Sequence, residues 1–336
     1  MAYQLISSIT SHENLLDQLA TFLANLGWTV NRNTTDGTQR EIAVETAFDS
    51  GIGSEEFHFG LGTAGTGDTA WIQVGGATGY SSGDGRTAQP GYSGQGRISV
   101  KQGSMPRAWL HGTAQYCHLI VEVAAGYVQM LGFGCLDRAY APTLGRQAGA
   151  FAYANRDQTG STYYWSALTS KWTSPNFGLF TGRQNGTEDG TNPYTQIQSA
   201  DGIRLRYEYG GGASADWTTD NAGSYFAQTN IGAIDGLTYY PWNTGFEFLY
   251  LPCGDNSRPI LAVEIFAPVR PVALASHFLA GRIPGMRFMD ARGLSNAHEF
   301  DIGDDTWQSF GAPFHNDAVM AIDNGRRPGF CFLKVT

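Results

Sequence analysis

Residues 79–83 carry the spacing of a serine nucleophile. The segment reads Gly-Tyr-Ser-Ser-Gly and matches G-x-S-x-G, the pattern in which a sharp turn between a strand and a helix exposes the serine hydroxyl. An apolar strand precedes it, but Asp84 to Pro90 has the composition of a loop and shows no helical pattern. Because the helix is missing, the sequence predicts a Gly/Ser loop here and no acyl-transfer site.

A second glycine pattern, G-x-G-x-x-G, lies at residues 60–65. Dinucleotide sites use such glycines to bring a pyrophosphate onto the first turn of a helix. Here the residues that follow are Thr-Gly-Asp-Thr, and they lead into another strand. The pattern therefore predicts a hairpin turn, and no nucleotide cofactor is expected.

The seven histidines are scattered, and none belongs to a helical metal-binding pair. His111 and His118 lie in the same predicted sheet region and are expected to converge as framework histidines. The acidic turns Glu188-Asp189 and Asp304-Asp305 lack the alternating oxygens of a calcium loop. We expect no metal, no cofactor and no catalytic residue. Glycoside hydrolases use two carboxylates that can come from distant strands, and local spacing does not test for such a pair.

Composition favours a β-rich chain with broad interfaces. The 336 residues include 44 glycines and 13% aromatic residues, whereas only 15% are charged, which is low for a globular domain. The formal net charge of −9 argues against phosphate-driven nucleic-acid binding. The chain is long enough for one large domain or two ordinary ones.

The four cysteines have no C-x-x-C spacing, so a zinc site is not predicted. Cys117 and Cys135 bracket one hairpin; both a disulfide and two free thiols fit that placement, and free thiols are the default in a reducing cytosol. The N-terminal residues lack the basic and apolar regions of a signal peptide. We expect the chain to be made and folded in the cytoplasm.

The longest apolar passage spans residues 115–136. Tyr116–Val123 and Tyr127–Phe133 are rich in aromatic and aliphatic residues, and a short break containing Gly126 separates them. This pattern predicts a β-hairpin at the centre of the main sheet. Three polar residues interrupt the run, which argues against a transmembrane span.

One amphipathic helix is predicted near the N-terminus. Thr10 and Glu13 fit a capping box, and Gly27 fits a helix stop. Apolar residues follow at helical spacing: Leu15, Leu16, Leu19, Phe22, Leu23 and Leu26. The predicted fold class is α+β and mostly β, with this helix packed on a mainly antiparallel sheet.

Three segments are expected. Residues 1–148 form a helix-plus-sheet framework, residues 149–245 a polar, aromatic, β/loop-rich insertion, and residues 246–336 supply strands that complete the framework. The insertion and an exposed loop at 75–103 are predicted to carry contacts. The expected interface anchors, for which core packing is an equal alternative, are Trp165, Trp172, Tyr207 and Trp217.

Three passages in a fixed order resemble a family of virion structural proteins of tailed bacteriophages, encoded among tail or baseplate genes. The resemblance covers about residues 10–145 and 250–336. Its passages are Gly27-Trp28-Thr29-Val30; Trp109-Leu110-His111 with Leu131-Gly132-Phe133 and Tyr140-Ala141-Pro142; and Arg258–Leu261, Glu264–Phe266, Gly281–Gly285 and Asp304–Trp307.

The resemblance implies a non-enzymatic structural subunit of a phage particle, at the tail tip or baseplate. Its partners would be copies of itself, in a cyclic homo-oligomer, and other virion proteins, with no nucleic acid and no membrane span. Two alternatives stay open: a head-decoration or neck protein, and a receptor-recognition module that binds or cuts a host surface glycan. The family has no catalytic residues to carry over.

Overall fold

The computed structural model describes fifteen ranges of the chain, and every structural statement below refers to them. They are residues 2–36, 39–49, 54–67, 70–77, 79–90, 96–135, 137, 150–154, 194–198, 204–208, 223–224, 262–269, 278–291, 293–311 and 328–334. Trp165, Trp172 and Trp217 lie outside these ranges.

The described residues form one α-helix, α1 (His12–Asn25), and eighteen strands. The strands are β1 (Ala2–Ile6), β2 (Thr29–Asp36), β3 (Gln39–Asp49), β4 (Ser54–Ala64), β5 (Trp71–Ala77), β6 (Gly96–Ser99), β7 (Arg107–Gly112), β8 (Tyr116–Ala124), β9 (Tyr127–Cys135), β10 (Ala150–Ala154), β11 (Tyr194–Gln198), β12 (Arg204–Glu208), β13 (Gly223–Ser224), β14 (Ala262–Val269), β15 (Phe278–Asp290), β16 (His298–Ile302), β17 (Asp305–Gly311) and β18 (Pro328–Leu333). The mostly-β class is confirmed.

The strands make three sheets. The central sheet has the order β1-β7-β8-β9-β10-β11-β12-β13, the N-terminal sheet β2-β3-β4-β5-β6, and the C-terminal sheet β14-β15-β18-β17-β16. Neighbouring strands are antiparallel except for β12 and β13. Four strands of residues 149–245 thus extend the central sheet, and the division into three segments remains a prediction.

The predicted hairpin is confirmed as β8 and β9. Ala124 pairs with Tyr127 around a two-residue turn in which Gly126 has φ +81°. Leu119 and Val121 join the core that faces α1 and the N-terminal sheet, whereas His118 faces the C-terminal sheet. A strand buried on both faces needs no regular alternation of apolar and polar residues, which explains the long and mostly apolar run.

Helix α1 is amphipathic, and its buried residues share a core with strands of the central and N-terminal sheets. The N-cap is Ser11 rather than Thr10, so the predicted capping box was displaced by one residue. The Ser11 hydroxyl accepts a hydrogen bond from the Asn14 backbone N–H, and the Asn14 side chain accepts one from Thr10 N–H. Gly27, with φ +89°, follows the helix as predicted. Among the described residues, no helix is both long enough and apolar enough to cross a membrane.

The C-terminal sheet packs on the opposite face of the central sheet through aromatic rings. Trp109 meets Phe310 edge-on with ring centroids 5.0 Å apart, and the rings of His111 and His118 lie 5.7 Å and 5.3 Å from that of Phe332. In this sheet β16 and β17 form a hairpin whose turn contains Gly303, and β18 pairs with β17 and β15.

The cysteines Cys117 and Cys135 are buried free thiols, as is Cys331. Register explains the absence of a bond between the first two, because Cys117 pairs with Phe133 and Tyr116 pairs with Gly134 across the hairpin. Burial raises the pKa of the Cys331 thiol to about 12 and that of Cys117 still further, so neither is a nucleophile near neutral pH.

Candidate functional site

The framework histidines converge as predicted and bridge two sheets. His111 and His118 are opposite each other on β7 and β8. His111 Nδ1 lies 3.0 Å from the Leu333 carbonyl, and His118 Nε2 lies 2.8 Å from the Pro284 carbonyl. A carbonyl only accepts, so each of these ring nitrogens carries the proton and donates it.

Burial keeps both rings neutral. It lowers the pKa of His111 to about 3 and that of His118 to about 4. A group with such a pKa is uncharged at physiological pH and neither takes up nor releases protons there. The two histidines therefore act as cross-sheet ties between the central and C-terminal sheets, not as acid–base groups.

A cleft of about 480 Å³ opens where the β7–β8 turn meets β15 and the start of β17. Asp137 and Arg282 form part of one wall of the cleft, and their backbones exchange hydrogen bonds of 3.0 and 2.9 Å. The Arg282 side chain also donates from Nε to Asp137 Oδ2 at 2.9 Å. The Gln115 amide donates to the other Asp137 oxygen at 2.8 Å. These contacts fix the carboxylate, the guanidinium and the amide in one array.

The floor of the cleft is aromatic. The guanidinium of Arg287 lies 4.6 Å above the centre of the Trp307 ring, a cation–π contact. Beside it, Tyr116 packs under Gly285, where a Cβ atom would stand 2.2 Å from the phenolic oxygen. Burial, together with the nearby Asp137 carboxylate, raises the pKa of Tyr116, so the phenol remains protonated.

The two glycine patterns have structural roles. Gly60 and Gly62 lie inside β4, so the predicted hairpin turn was wrong for residues 60–64. The buried side chain of Arg86 lies across both glycines, and a Cβ on either would come within 2.7 Å of it. The two glycines thus make room for the side chain of Arg86 within a strand, and they do not open a helix as the glycines of a nucleotide site do.

Arg86 belongs to a buried charge cluster. Its backbone N–H donates to Glu41 Oε2 at 3.2 Å, and its Nε is 3.9 Å from the other carboxylate oxygen. Arg32 approaches the same carboxylate at 3.5 Å and donates to the Asp84 carbonyl at 2.8 Å. This cluster fastens residues 79–90 onto the outer face of the N-terminal sheet.

The predicted exposed loop at 75–103 is therefore only partly exposed. Gln89 is buried and holds the backbone of Ser81 on both sides, through its amide oxygen at 2.7 Å and its amide nitrogen at 3.0 Å. Residues 86–88 form a 3-10 turn, and β6 completes the N-terminal sheet. Ser81 thus lies in a pinned loop without the helix that a nucleophile elbow needs.

Sequence reasoning found the histidine pair but missed the cleft and the arginine cluster. Tyr207 lies on β12, and nothing further bears on its predicted role or on those of Trp165, Trp172 and Trp217, which remain predictions. The described ranges contain no group of three or more His, Cys, Asp or Glu side chains arranged to hold a metal ion. No family model matches the chain, and no curated protein shows significant similarity to it.

Proposed function

We propose that the chain is a structural subunit of a tailed-bacteriophage particle, at the tail tip or baseplate. It would act without catalysis, through contacts with copies of itself and with neighbouring virion proteins, and would reach the virion after synthesis in the host cytoplasm. The proposal starts from the resemblance of residues 10–145 and 250–336 to virion proteins.

The supporting observation is that side chains capable of chemistry make structural contacts in this fold. His111 and His118 link two sheets by hydrogen bonds, and the thiols of Cys117 and Cys331 are buried. The side chain of Arg86 packs over the glycines of β4. A chain in which such groups stabilise the fold is suited to a permanent structural role. Its small fraction of charged residues and its many aromatic residues suit the apolar cores of obligate interfaces.

The test is deletion of the gene from the phage or prophage genome that encodes the chain. We expect incomplete particles, restored by the gene in trans, and we expect the protein in purified particles by mass spectrometry. Labelled chains seen by electron microscopy at the tail tip would support the proposal, while labels on the head or neck would favour that alternative. Normal infectious particles without the protein would refute a structural role.

A second candidate, glycan binding, is favoured by the cleft. Its volume falls in the usual range for ligand pockets, and its wall presents the fixed amide, carboxylate and guanidinium of Gln115, Asp137 and Arg282. Such planar groups form paired hydrogen bonds with vicinal hydroxyls. The exposed carboxylate of Asp305 lies at the same cleft.

This candidate is tested by a glycan array with the purified chain and with Asp305→Asn. Asp304→Asn is the matched control, because Asp304 belongs to the same turn but does not line the cleft. Binding that is lost in Asp305→Asn and kept in Asp304→Asn would support glycan recognition. No binding, or equal loss in both variants, would leave the cleft without this role.

A further inference from the structure

Each sheet has two end strands, and an end strand exposes main-chain donors and acceptors that can pair with another chain. Natural proteins protect such edges with charges, proline, bulges, short strands or covering loops. In the N-terminal sheet, β2 has a shift in register between Val30 and Arg32, and the Tyr80 hydroxyl donates to the Asn31 carbonyl at 3.1 Å. The other end strand, β6, has only four residues. Both of these edges are protected.

The C-terminal sheet is protected in other ways. Strand β14 has two shifts in register and contains Pro268. Strand β16 carries the exposed residues Glu299 and Asp301, which would face like charges in a self-pairing. At the far end of the central sheet, β13 has two residues, Gly223 and Ser224.

Strand β1 is different. Its sequence, Ala-Tyr-Gln-Leu-Ile, contains no charge and no proline, and it pairs with β7 over all five residues without a shift in register. The side chain of Leu5 is 48% exposed, the one large hydrophobic side chain exposed to that degree in the described ranges. Among the six end strands of the described sheets, β1 is the one that has more than four residues and carries no charge, no proline and no shift in register.

The hydrogen-bond phase shows which groups of β1 face outward. Thr113 N–H donates to the Tyr116 carbonyl at 2.9 Å, so hydrogen-bonded pairs between β7 and β8 fall at the odd-numbered residues of β7. The even-numbered residues of β7 therefore bond to β1, through Ala2, Gln4 and Ile6. This leaves the main-chain groups of Tyr3 and Leu5 at the open edge.

We propose that β1 pairs with β1 of a second copy, antiparallel about a two-fold axis through Gln4, so that two central sheets become one. All five residues overlap in this register. Tyr3 of each chain exchanges two main-chain hydrogen bonds with Leu5 of the other, which places the exposed Leu5 side chain beside a Tyr3 ring that is held by His111 and Lys334 of its own chain. Gln4 then lies opposite Gln4 of the second copy in a non-hydrogen-bonded pair.

This inference deepens the self-association in the proposed function, because it names the surface that carries it. A neutral strand opposes itself without like-charge repulsion, and the isologous contact closes after two copies. The remaining edges then stay protected, so growth of the joined sheet stops at the dimer.

The first test is a cysteine cross-link in the full chain, with any tag at the C-terminus. A non-hydrogen-bonded pair places its Cα atoms about 4.5 Å apart, which a disulfide spans. Gln4→Cys is expected to form a covalent dimer on mild oxidation. Leu5→Cys is the matched control, because Leu5 lies opposite Tyr3 and not opposite itself. Equal cross-linking of both variants, or none of Gln4→Cys, would overturn the register.

The second test measures association by sedimentation equilibrium. Leu5→Lys adds a charge at the contact and is expected to raise the dimer Kd at least tenfold, whereas Ala88→Lys, exposed on the pinned loop, should leave it unchanged. Circular dichroism checks that both variants are folded. A chain that is monomeric at all concentrations overturns the proposal. Oligomers insensitive to Leu5→Lys also overturn it, while leaving self-association through another surface intact.

Discussion

The two faces of the central sheet are packed by different chemistry. Toward α1 and the N-terminal sheet the core combines fully buried aliphatic side chains, such as Leu119, Val121 and Leu131, with the packed rings of Trp28, Phe59 and Phe133. Toward the C-terminal sheet it is aromatic, and His111 and His118 donate to main-chain carbonyls there. The first junction is held by apolar burial and by hydrogen bonds from Trp28 and Thr46 to the main-chain carbonyls of Thr113 and Ala114, none of which involves a group that titrates near neutral pH. The second contains two buried imidazoles, so it also depends on their charge state and should be more selective in what it tolerates.

The contact between the central and C-terminal sheets is called the aromatic junction below. The largest effect is expected at Gly285, where this junction has no spare space. Gly285 has φ +65°, and a Cβ there would meet the Tyr116 ring at 2.2–2.6 Å. Gly285→Ala should lower the free energy of unfolding by about 3 kcal/mol or more, since backbone strain adds to overpacking. The measurement is urea denaturation followed by tryptophan fluorescence.

Gly303→Ala separates these two contributions. Gly303 has φ +63°, but a Cβ added there would have no neighbouring atom within 4 Å, so the change should cost only the backbone strain of about 1–2 kcal/mol. Equal losses in the two variants would mean that Tyr116 yields easily, and the contrast between the junctions would then be overstated.

The next effect is the pH dependence of the aromatic junction. The pKa of His118 falls from 6.5 to about 4 on folding, so the unfolded chain binds more protons between these values. Stability is therefore complete above about pH 6.5 and falls as pH decreases, by about 1.4 kcal/mol per pH unit for this histidine. Denaturation between pH 7 and pH 4.5 measures the slope.

His118→Gln tests the cause, because a glutamine amide can still donate to the Pro284 carbonyl but does not titrate. We expect the variant to be folded at pH 7 and to lose about 1.4 kcal/mol per pH unit of the slope. His298→Gln, on the exposed strand β16, is the matched control and should keep the wild-type slope. An unchanged slope in His118→Gln would mean that other groups set the acid sensitivity.

What the sequence predicted follows the same contrast. The helix and the central hairpin were predictable because their patterns are local: helical spacing in α1, and a long, mostly apolar run where β8 and β9 are buried on both sides. The aromatic junction was not visible, because His111 bonds to a carbonyl 222 residues away. The glycines of β4 were read as a turn because nothing local indicates that Arg86 lies over them.

A smaller effect is expected where that arginine lies. Gly60→Ala would place a Cβ 2.7 Å from Arg86 Cγ, so the arginine must shift from Glu41. We expect a loss of about 1–3 kcal/mol in the free energy of unfolding. In an Arg86→Ala background the same change should cost much less, a coupling that a double-mutant cycle measures. Gly83→Ala, with nothing within 4 Å, is the control. If the losses in the free energy of unfolding from Gly60→Ala and Arg86→Ala are additive, the packing of Arg86 does not depend on the missing Cβ at Gly60.

The smallest effect is expected for the ion pair at the mouth of the cleft. The side chains of Arg282 and Asp137 are 46% and 34% exposed, and the two backbone hydrogen bonds between these residues survive a side-chain change. Arg282→Gln should therefore cost less than about 1 kcal/mol and less still in high salt. Arg107→Gln sharpens the point and should cost more, because the side chain of its partner Glu122 is only 6% exposed and is less accessible to water than that of Asp137. If both substitutions cost the same and respond equally to salt, burial of the carboxylate does not decide the strength of these pairs.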